Sequence, residues 1–177
     1  MPSLKSWTAI NVYLRIYIFP KKDGTTTEID LIMIAHTGIY VIESKNYSGW
    51  IFGDEKQRYW MQTLQNGQKN KFYNPIWQNK GHITALQYVL DSVDEHLYKS
   101  LIIFSERCTL KKVTVSTPTI HVMKRNDLIR FIKKEINGSP LVLRTDQIDD
   151  LYETLTQYFT LDQEIREKHI EVIAGKK

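Results

Sequence analysis

Four charged residues interrupt the most apolar part of the sequence, the segment EIDLIMIAHTGIYVIESK at residues 28–45. They are Glu28, Asp30, Glu43 and Lys45. Burying an ionised carboxylate or ammonium group without a partner is strongly unfavourable. These side chains must therefore pair with one another, bind a metal ion or lie at a solvated strand end.

The spacing of the four charges predicts that a hairpin brings them together. The sequence His-Thr-Gly at residues 36–38 separates two strand-like runs and is typical of a tight turn. A turn centred there places Asp30 opposite Glu43 and Glu28 opposite Lys45. Residues two apart on a strand share a face, so all four side chains are expected on one face near the open end of the hairpin.

Two facing carboxylates and a lysine suggest metal-assisted hydrolysis. The carboxylates repel each other, which raises a pKa unless a cation lies between them, and oxygen ligands at an open site suit Mg²⁺ or Mn²⁺. An ammonium group such as that of Lys45 can orient or deprotonate a water and stabilise charge that develops on a phosphodiester. The structural alternative is a solvated cross-strand ion network, which the spacing alone does not exclude.

Other polar and aromatic residues are candidates for the same chemistry. Gln78 and His82 are four residues apart on a predicted helix and share a face that can look toward the hairpin. We expect His82 to be solvated. Lys69 and Lys71 precede that helix and are expected to contact nucleic-acid phosphates. Tryptophans can stack on unpaired bases, but large aromatics more often fill cores, and Trp60 is expected in the core.

A series of short motifs runs in order along residues 8–123. They are Glu28-Ile29-Asp30, Gly38-Ile39, Ile42 to Tyr47 with Gly49, Trp60, Asn74-Pro75, Gln78 and His82. Together they resemble the nuclease-related domain (NERD) family of the PD-(D/E)XK nuclease superfamily. The resemblance implies that Asp30 and Glu43 bind Mg²⁺ (or Mn²⁺). It also implies that Lys45 assists the attacking water and that Gln78 orients the water or the substrate.

The resemblance also implies a fold and a function. The fold would be restriction-endonuclease-like, an α/β fold with a central mixed β-sheet flanked by helices. The function would be metal-dependent hydrolysis of nucleic acid phosphodiester bonds, with DNA as the expected substrate. The alternative is a catalytically silent nuclease-like module that binds nucleic acid or a protein partner.

The number of metal ions follows from a departure from the family. The family usually places a glutamate-bearing helix ahead of the first strand, and this sequence has too few residues there for such a helix. Asp30 and Glu43 are then the two carboxylate donors, so one-metal chemistry is expected. Glu28 is a candidate third carboxylate, although an ion pair with Lys45 is the expected use of its oxygens.

Hydrophobic patterning predicts the elements that position these residues. Strand-like runs lie at 9–19, 28–35, 39–45, 49–53, 58–62, 101–104, 113–115 and 119–123. The polar segment 66–73 is expected to be a loop. Asn74 and Pro75 predict the start of a helix whose apolar face includes Ile83, Leu86, Leu90 and Val93.

The remainder of the chain is predicted to be helical. Apolar residues recur at helical spacing from Leu128 to Ile136 and from Ile148 to Phe159, and Thr160 with Gln163 fits the capping box of a last helix. We expect residues 1–123 to form a nuclease-related core and residues 124–177 to form C-terminal helices packed on the same core.

Composition limits the class of protein and its setting. The chain has 177 residues, a net charge of +4 and 42% hydrophobic residues, which is typical of a globular domain and only weakly favours anionic partners. A single cysteine, Cys108, excludes an intrachain disulfide and zinc sites with several thiolates. No apolar run reaches membrane-spanning length and no secretory signal is evident, so a cytoplasmic protein is expected. The sequence does not decide between a monomer, a homo-oligomer and a complex with a protein partner.

Overall fold

Eleven strands, three α-helices and two short 3-10 helices make up the described structure. The computed structural model describes residues 11–13, 17–91 and 94–158. In chain order the elements are β1 (Asn11–Tyr13), β2 (Tyr17–Pro20), β3 (Thr26–Ile29), β4 (Leu31–Ala35), β5 (Gly38–Lys45), β6 (Gly49–Asp54), β7 (Tyr59–Thr63), β8 (Lys69–Tyr73), α1 (Pro75–Val89), β9 (Tyr98–Phe104), β10 (Cys108–Thr114), β11 (Ile120–Lys124) and α2 (Leu128–Gly138). Residues 145–158 are also helical.

A five-stranded mixed sheet is the centre of the fold. Its strand order is β1-β4-β5-β9-β11. Strand β4 runs antiparallel to β5, whereas β9 runs parallel to β5, and β11 runs parallel to β9. Parallel neighbours need a long crossover, and the chain between β5 and β9 supplies it with three strands and α1. The predicted mixed α/β architecture is confirmed and is consistent with a restriction-endonuclease-like fold.

Alternate residues of β5 face two different layers of helices. Ile39 and Val41 lie in a core cluster with Leu86 of α1 and with buried residues of the helix at 145–158. Tyr40 and Ile42 lie in a second cluster on the opposite face of the sheet, against which side chains of α2 pack. Because β5 is covered on both faces, its sequence is a continuous apolar run until Glu43.

The register between β4 and β5 agrees with the predicted hairpin. The paired residues run from Leu31 with Ile42 to Ala35 with Gly38, which is the register of the predicted hairpin, and Asp30 lies one residue beyond the last pair. The predicted position of Glu28 is wrong. The chain bends at Asp30 and continues as β3, which pairs with β2, and there Glu28 lies opposite Ile18.

A four-stranded sheet of order β10-β6-β7-β8 lies beside the central sheet. A third core cluster, which includes Ile51, Trp60 and Phe104, packs between them. The predicted burial of Trp60 is confirmed, and Gly53 is required beneath it because a Cβ there would lie 2.1 Å from the indole ring. The predicted loop at 66–73 is wrong, since residues 69–73 form the edge strand β8.

The start of α1 agrees with the prediction from Asn74 and Pro75. Asn74 precedes the helix and its side-chain oxygen accepts a hydrogen bond from the backbone N–H of Ile76 at 2.9 Å. Pro75 is the first helical residue, where the missing N–H costs nothing. The helix ends at Val89, and Leu86 and Leu90 are buried as predicted.

Some sequence predictions fall on residues outside the described ranges. The predicted strand 9–19 corresponds to β1 and β2, between which residues 14–16 are not described. The predicted core residues Val93 and Phe159 and the last helix from Thr160 also lie outside. Among the described residues, no helix is long and apolar enough to cross a membrane.

Candidate active site

The candidate site lies where β5 ends beneath the first two turns of α1. Glu43 and Lys45 follow Val41 on the face of β5 that points to the helix, because side chains on a strand alternate. Asn79 connects α1 to the central sheet next to Glu43 and Lys45. Its side-chain amide donates to the carbonyl oxygen of Val41 at 2.9 Å and to Oγ of Ser100 at 2.7 Å.

Glu43 is the centre of the site. It is 3% exposed, and each of its carboxylate oxygens has a cationic or polar partner. Lys45 Nζ lies 2.5 Å from Oε1, and His82 Nε2 donates to Oε2 at 3.0 Å. Burial opposes ionisation of this carboxyl, but the hydrogen bonds from His82 and Lys45 outweigh burial and lower the pKa of Glu43 below its ordinary value. The carboxylate repulsion expected from the sequence is therefore not the dominant effect at Glu43.

His82 links Glu43 to β3. A carboxylate accepts hydrogen bonds only, so the Nε2 atom of His82 carries the hydrogen that binds Glu43. In the neutral ring, Nδ1 is then an acceptor, and the hydroxyl of Thr27 donates to it at 2.9 Å. The predicted solvation of His82 is wrong, since the residue is only 5% exposed. The signal in the sequence was the helix face that it shares with Gln78.

Lys45 has a second partner on the helix. Its Nζ donates to Oε1 of Gln78 at 2.8 Å, and its side chain is 16% exposed. The ammonium group is thereby held between a helix and a strand while it retains access to solvent. A cation fixed in this way can act on a molecule bound at the strand end.

Asp30 is held next to the end of β5 by a hydrogen bond. Its Oδ2 accepts a hydrogen bond from the backbone N–H of Ser44 at 2.8 Å, and the residue is half-buried. This hydrogen bond holds the Asp30 carboxylate against the backbone of β5 at the residue that follows Glu43.

Comparison with known proteins identifies the family of this chain. Residues 4–105 match the family described as nuclease-related domain (NERD). The chain belongs to the nuclease-related domain family. It is 35% identical to an uncharacterized protein of Bacillus anthracis over 153 residues, which cover 86% of this chain and 69% of that protein. No solved structure shows significant similarity to the chain. This family belongs to the PD-(D/E)XK-like nuclease superfamily.

The acidic residues of this nuclease-related domain fit a divalent cation by their chemistry. Carboxylate oxygens suit Mg²⁺ and Mn²⁺, and each carboxylate offers about four lone-pair positions, so the hydrogen bonds to Glu43 and Asp30 leave acceptor capacity. Within the described residues, no group of three or more His, Cys, Asp or Glu side chains is placed to hold a metal. Asp30 and Glu43 would be the protein's ligands to such a cation, and the remaining ligands would be water or substrate.

Three residues singled out in the sequence lie outside the cluster. Glu28 is exposed and adjacent on β3 to Thr27, whose side chain contacts His82, so Glu28 points to the other face of that strand. The described structure contains no ion pair between Glu28 and Lys45, which pairs with Glu43 instead. Lys69 and Lys71 are exposed on β8, at the edge of the four-stranded sheet.

The buried hydrogen bond between His82 and Glu43 predicts a measurable loss of stability. The substitution His82→Leu leaves Oε2 of Glu43 buried without a donor, which should lower the free energy of unfolding by about 1–3 kcal/mol. Urea denaturation at neutral pH measures the change. His96→Leu is the control at an exposed histidine.

A double-mutant cycle separates the hydrogen bond from packing. In a Glu43→Gln background the His82→Leu substitution no longer strands an ionised carboxylate, so its cost should be smaller. An equal cost in both backgrounds would contradict the assignment of the hydrogen bond as the source.

Proposed function

We propose that this nuclease-related domain is a metal-dependent nuclease that hydrolyses phosphodiester bonds of nucleic acid, with DNA as the expected substrate. The observation that carries the proposal is the joining of Glu43, Lys45 and Gln78 by short hydrogen bonds at a solvent-accessible strand end. Such a set offers a fixed positive charge beside a carboxylate, which hydrolysis of an anionic diester needs.

Each residue has a role in the proposed reaction. Asp30 and Glu43 would hold one Mg²⁺ or Mn²⁺, which when bound lowers the pKa of a water and neutralises charge on the phosphate. Lys45 orients the attacking water and stabilises the negative charge that develops on the diester. Gln78 accepts a hydrogen bond from Lys45 and so acts as a positioning residue for the ammonium group.

A single metal ion is expected in this proposal. Two carboxylates can bind one Mg²⁺ that keeps several waters, but they are too few for a second site. Glu28, the candidate third carboxylate, lies on the outward face of β3 and would need a rearrangement of that strand to contribute. Without a second cation, less of the charge on the leaving group is neutralised, so slow cleavage is expected.

A specific observation favours the alternative of a silent module. Both oxygens of Glu43 are engaged, Oε1 by Lys45 and Oε2 by His82, which is the pattern of a satisfied structural carboxylate. In that case the domain would bind nucleic acid or a protein partner without cleaving anything, and metal ions would have no effect.

Cleavage of labelled oligonucleotides tests the proposal directly. Single-stranded and duplex DNA, and RNA of the same sequence, are incubated with the full chain in Mg²⁺, in Mn²⁺ and in EDTA. We expect DNA cleavage with Mg²⁺ or Mn²⁺ and none in EDTA. Asp30→Asn should abolish cleavage, and Asp149→Asn, at an exposed aspartate of the helix at 145–158, should not.

Two outcomes would contradict the proposal. Cleavage that persists in EDTA would show that the reaction does not require a metal ion. Absence of cleavage in either metal, together with no heat of metal binding in calorimetry, would support the silent module if nucleic acid binding persists.

A further inference from the structure

The outer face of the four-stranded sheet carries exposed aromatic side chains that the candidate active site does not use. Trp50 is 50% exposed, Tyr59 is 51% exposed and Tyr73 is 45% exposed. Tyr59 pairs directly with Tyr73 across β7 and β8, and Trp50 pairs with Thr63 across β6 and β7. Positions 59 and 63 share a side of β7, so all three aromatic side chains lie on one face.

Basic residues are interleaved with these aromatics. The Nζ atom of Lys111 lies 5.1 Å from the centre of the Trp50 ring, and the guanidinium carbon of Arg58 lies 5.4 Å from the centre of the Tyr59 ring. On the same face, Lys71 pairs with Met61, which lies beside Tyr59 on alternate positions of β7. The cations of Lys111 and Arg58 therefore lie directly beside exposed rings, and Lys71 adds a further positive charge to the same face.

Two more lysines extend this positive charge. Lys69 pairs with Thr63 on the same face, and Lys112 lines a shallow cavity of about 360 Å³ together with Tyr59 and Lys71. The carboxylate in the cavity is that of Asp54, which accepts a hydrogen bond from the backbone N–H of its neighbour Lys56 at 2.9 Å. Basic side chains thus outnumber acidic ones around the cavity, and the face complements a chain of negative charges.

The aromatic surface continues to the start of α1. The rings of Tyr73 and Trp77 meet edge to face with their centres 6.4 Å apart, and the ring of Trp77 is held by a hydrogen bond from Nε1 to the carbonyl oxygen of Glu55 at 2.8 Å. Trp77 is 37% exposed and immediately precedes Gln78, the partner of Lys45. Trp77 and Gln78 therefore both project from the first turn of α1.

We propose that this face, which we call the aromatic–lysine face and which comprises Trp50, Tyr59, Lys69, Lys71 and Tyr73, binds single-stranded nucleic acid by stacking its unpaired bases. The proposal rests on the proposed function in one respect, since it makes a single-stranded segment the substrate class of the nuclease. Lysines on an edge strand also discourage unwanted strand pairing, but that role does not call for exposed tyrosines and a tryptophan beside them. Stacking on aromatics with phosphate contacts from lysine is the general mode of single-strand recognition.

Stacking predicts a preference that phosphate contacts alone would not give. In a duplex the faces of the bases are already stacked on one another, so they are not available to stack on exposed aromatic side chains. The rings should therefore add little to the affinity for a duplex. In a single strand the faces are free, and each stacked base strengthens binding by roughly tenfold. The aromatic side chains should therefore discriminate between the two forms, whereas the lysines should serve both.

Binding in the absence of metal isolates this proposal from cleavage. Fluorescence anisotropy measures the affinity of the full chain for a labelled oligothymidylate and for a labelled hairpin duplex, both in EDTA. The triple variant Trp50→Val, Tyr59→Val and Tyr73→Val keeps side chains that suit strands and removes the rings. We expect affinity for the single strand to fall by about tenfold or more and affinity for the duplex to change by less than about twofold.

Matched controls exclude general effects of the substitutions. Tyr88→Leu removes a tyrosine on α1 that is 54% exposed, and it should leave both affinities unchanged. Lys69→Gln with Lys71→Gln should weaken binding and flatten its dependence on salt, with the slope reduced by about 0.7 for each phosphate that the variant no longer neutralises. Lys22→Gln with Lys134→Gln removes the same charge from exposed positions elsewhere and should leave the slope unchanged.

A measurement on the unchanged protein covers the case in which the triple variant does not fold. An oligonucleotide that carries 5-iododeoxyuridine is cross-linked by light, and the adducts are mapped by mass spectrometry. Adducts on Trp50, Tyr59 or Tyr73 support the proposal, and adducts confined to other residues overturn it.

Further outcomes would also overturn the proposal. They are an unchanged single-strand affinity in a folded triple variant and an equal loss of affinity for single strand and duplex. Dissociation of a wild-type dimer by the same substitutions, without an effect on nucleic acid binding, would instead assign this face to contact between two copies of the chain. If cleavage fails but metal-free single-strand binding depends on the rings, the nuclease proposal is lost and the aromatic–lysine face stands.

Discussion

The substitution Lys45→Met is expected to lower the rate constant for cleavage at saturating nucleic acid by about a hundred- to a thousandfold. The affinity for nucleic acid should change by less than about threefold, because one phosphate contact is a small part of an extended electrostatic interface. Rate constants from single-turnover reactions and affinities from anisotropy, both with Mg²⁺ present, measure the two quantities separately.

The reason for this asymmetry is the fixed position of the ammonium group. Lys45 Nζ is held by Glu43 at 2.5 Å and by Gln78 at 2.8 Å, so its charge is already in place before the reaction begins. A preorganised charge stabilises the transition state, in which negative charge increases, more than it stabilises the bound substrate. Removal of this charge should therefore lower the rate constant for cleavage more than the affinity for the substrate.

Lys99→Met is a closely matched control. Lys99 is also a lysine near the edge of the core whose Nζ lies 2.5 Å from a glutamate, Glu135, and its side chain is 18% exposed against 16% for Lys45. It lies on β9 and pairs with α2, away from the candidate site. This substitution should cost stability without a specific loss of rate. An equal loss of rate in both variants, or a loss of affinity with an unchanged rate constant in Lys45→Met, would contradict the proposed role of Lys45.

The sequence was sufficient to predict the register between β4 and β5. Side chains on a strand have a period of two, and a short turn leaves few choices of register, so the apolar run and the turn together determine which residues face each other. The start of α1 was predictable for a similar reason. Asn74 and Pro75 act on the local backbone and need no distant partner.

The prediction for Glu28 is wrong because the bend at Asp30 has no signal in the local sequence. Residues 28–35 have the alternating pattern and the β-branched side chains that are typical of one continuous strand, and no glycine or proline interrupts them. The described structure shows a tertiary contact at the bend, in which the backbone N–H of Ser44 donates to Asp30. A contact of this kind depends on a residue fourteen positions away, so propensity alone could not indicate it.

The predictions for His82 and for residues 66–73 are also wrong because tertiary contacts determine both. The burial of His82 depends on Glu43 and Thr27, which come from two different strands beneath the helix. The sequence of β8 resembles a loop because its outward positions carry Lys69, Lys71 and Tyr73, and such polar composition is typical of loops and also of edge strands. Pairing with β7, which the sequence does not display, makes it a strand.

The substitution Glu43→Gln is expected to lower the affinity for Mg²⁺ or Mn²⁺ by more than about tenfold, since it removes a charged ligand from a site with two carboxylates. Isothermal calorimetry with MnCl₂ measures the affinity. The folded state should persist, because glutamine has nearly the same volume and can still accept a hydrogen bond from Lys45 or His82. Asp30→Asn should produce a loss of similar size.

The same substitution should change how stability depends on pH. Although burial opposes ionisation of Glu43, the hydrogen bonds from His82 and Lys45 lower its pKa in the folded protein below the ordinary value of 4.5. The unfolded chain therefore binds a proton first as the pH falls, and the contribution of ionised Glu43 to stability is complete above about pH 4.5 and lost as the pH falls through the lowered folded pKa. Urea denaturation at several pH values should show this loss in the wild type and a smaller one in Glu43→Gln.

Glu135→Gln separates the metal effect from the pH effect. Glu135 is half-buried and, like Glu43, is paired with a lysine, and although burial opposes its ionisation, the hydrogen bond from Lys99 lowers its pKa as well. Its replacement should therefore reduce the acid sensitivity of stability in the same direction as Glu43→Gln but leave the affinity for Mn²⁺ unchanged. If both variants bind Mn²⁺ like the wild type, Glu43 is a structural carboxylate that neutralises Lys45, and the function of the site is binding without metal.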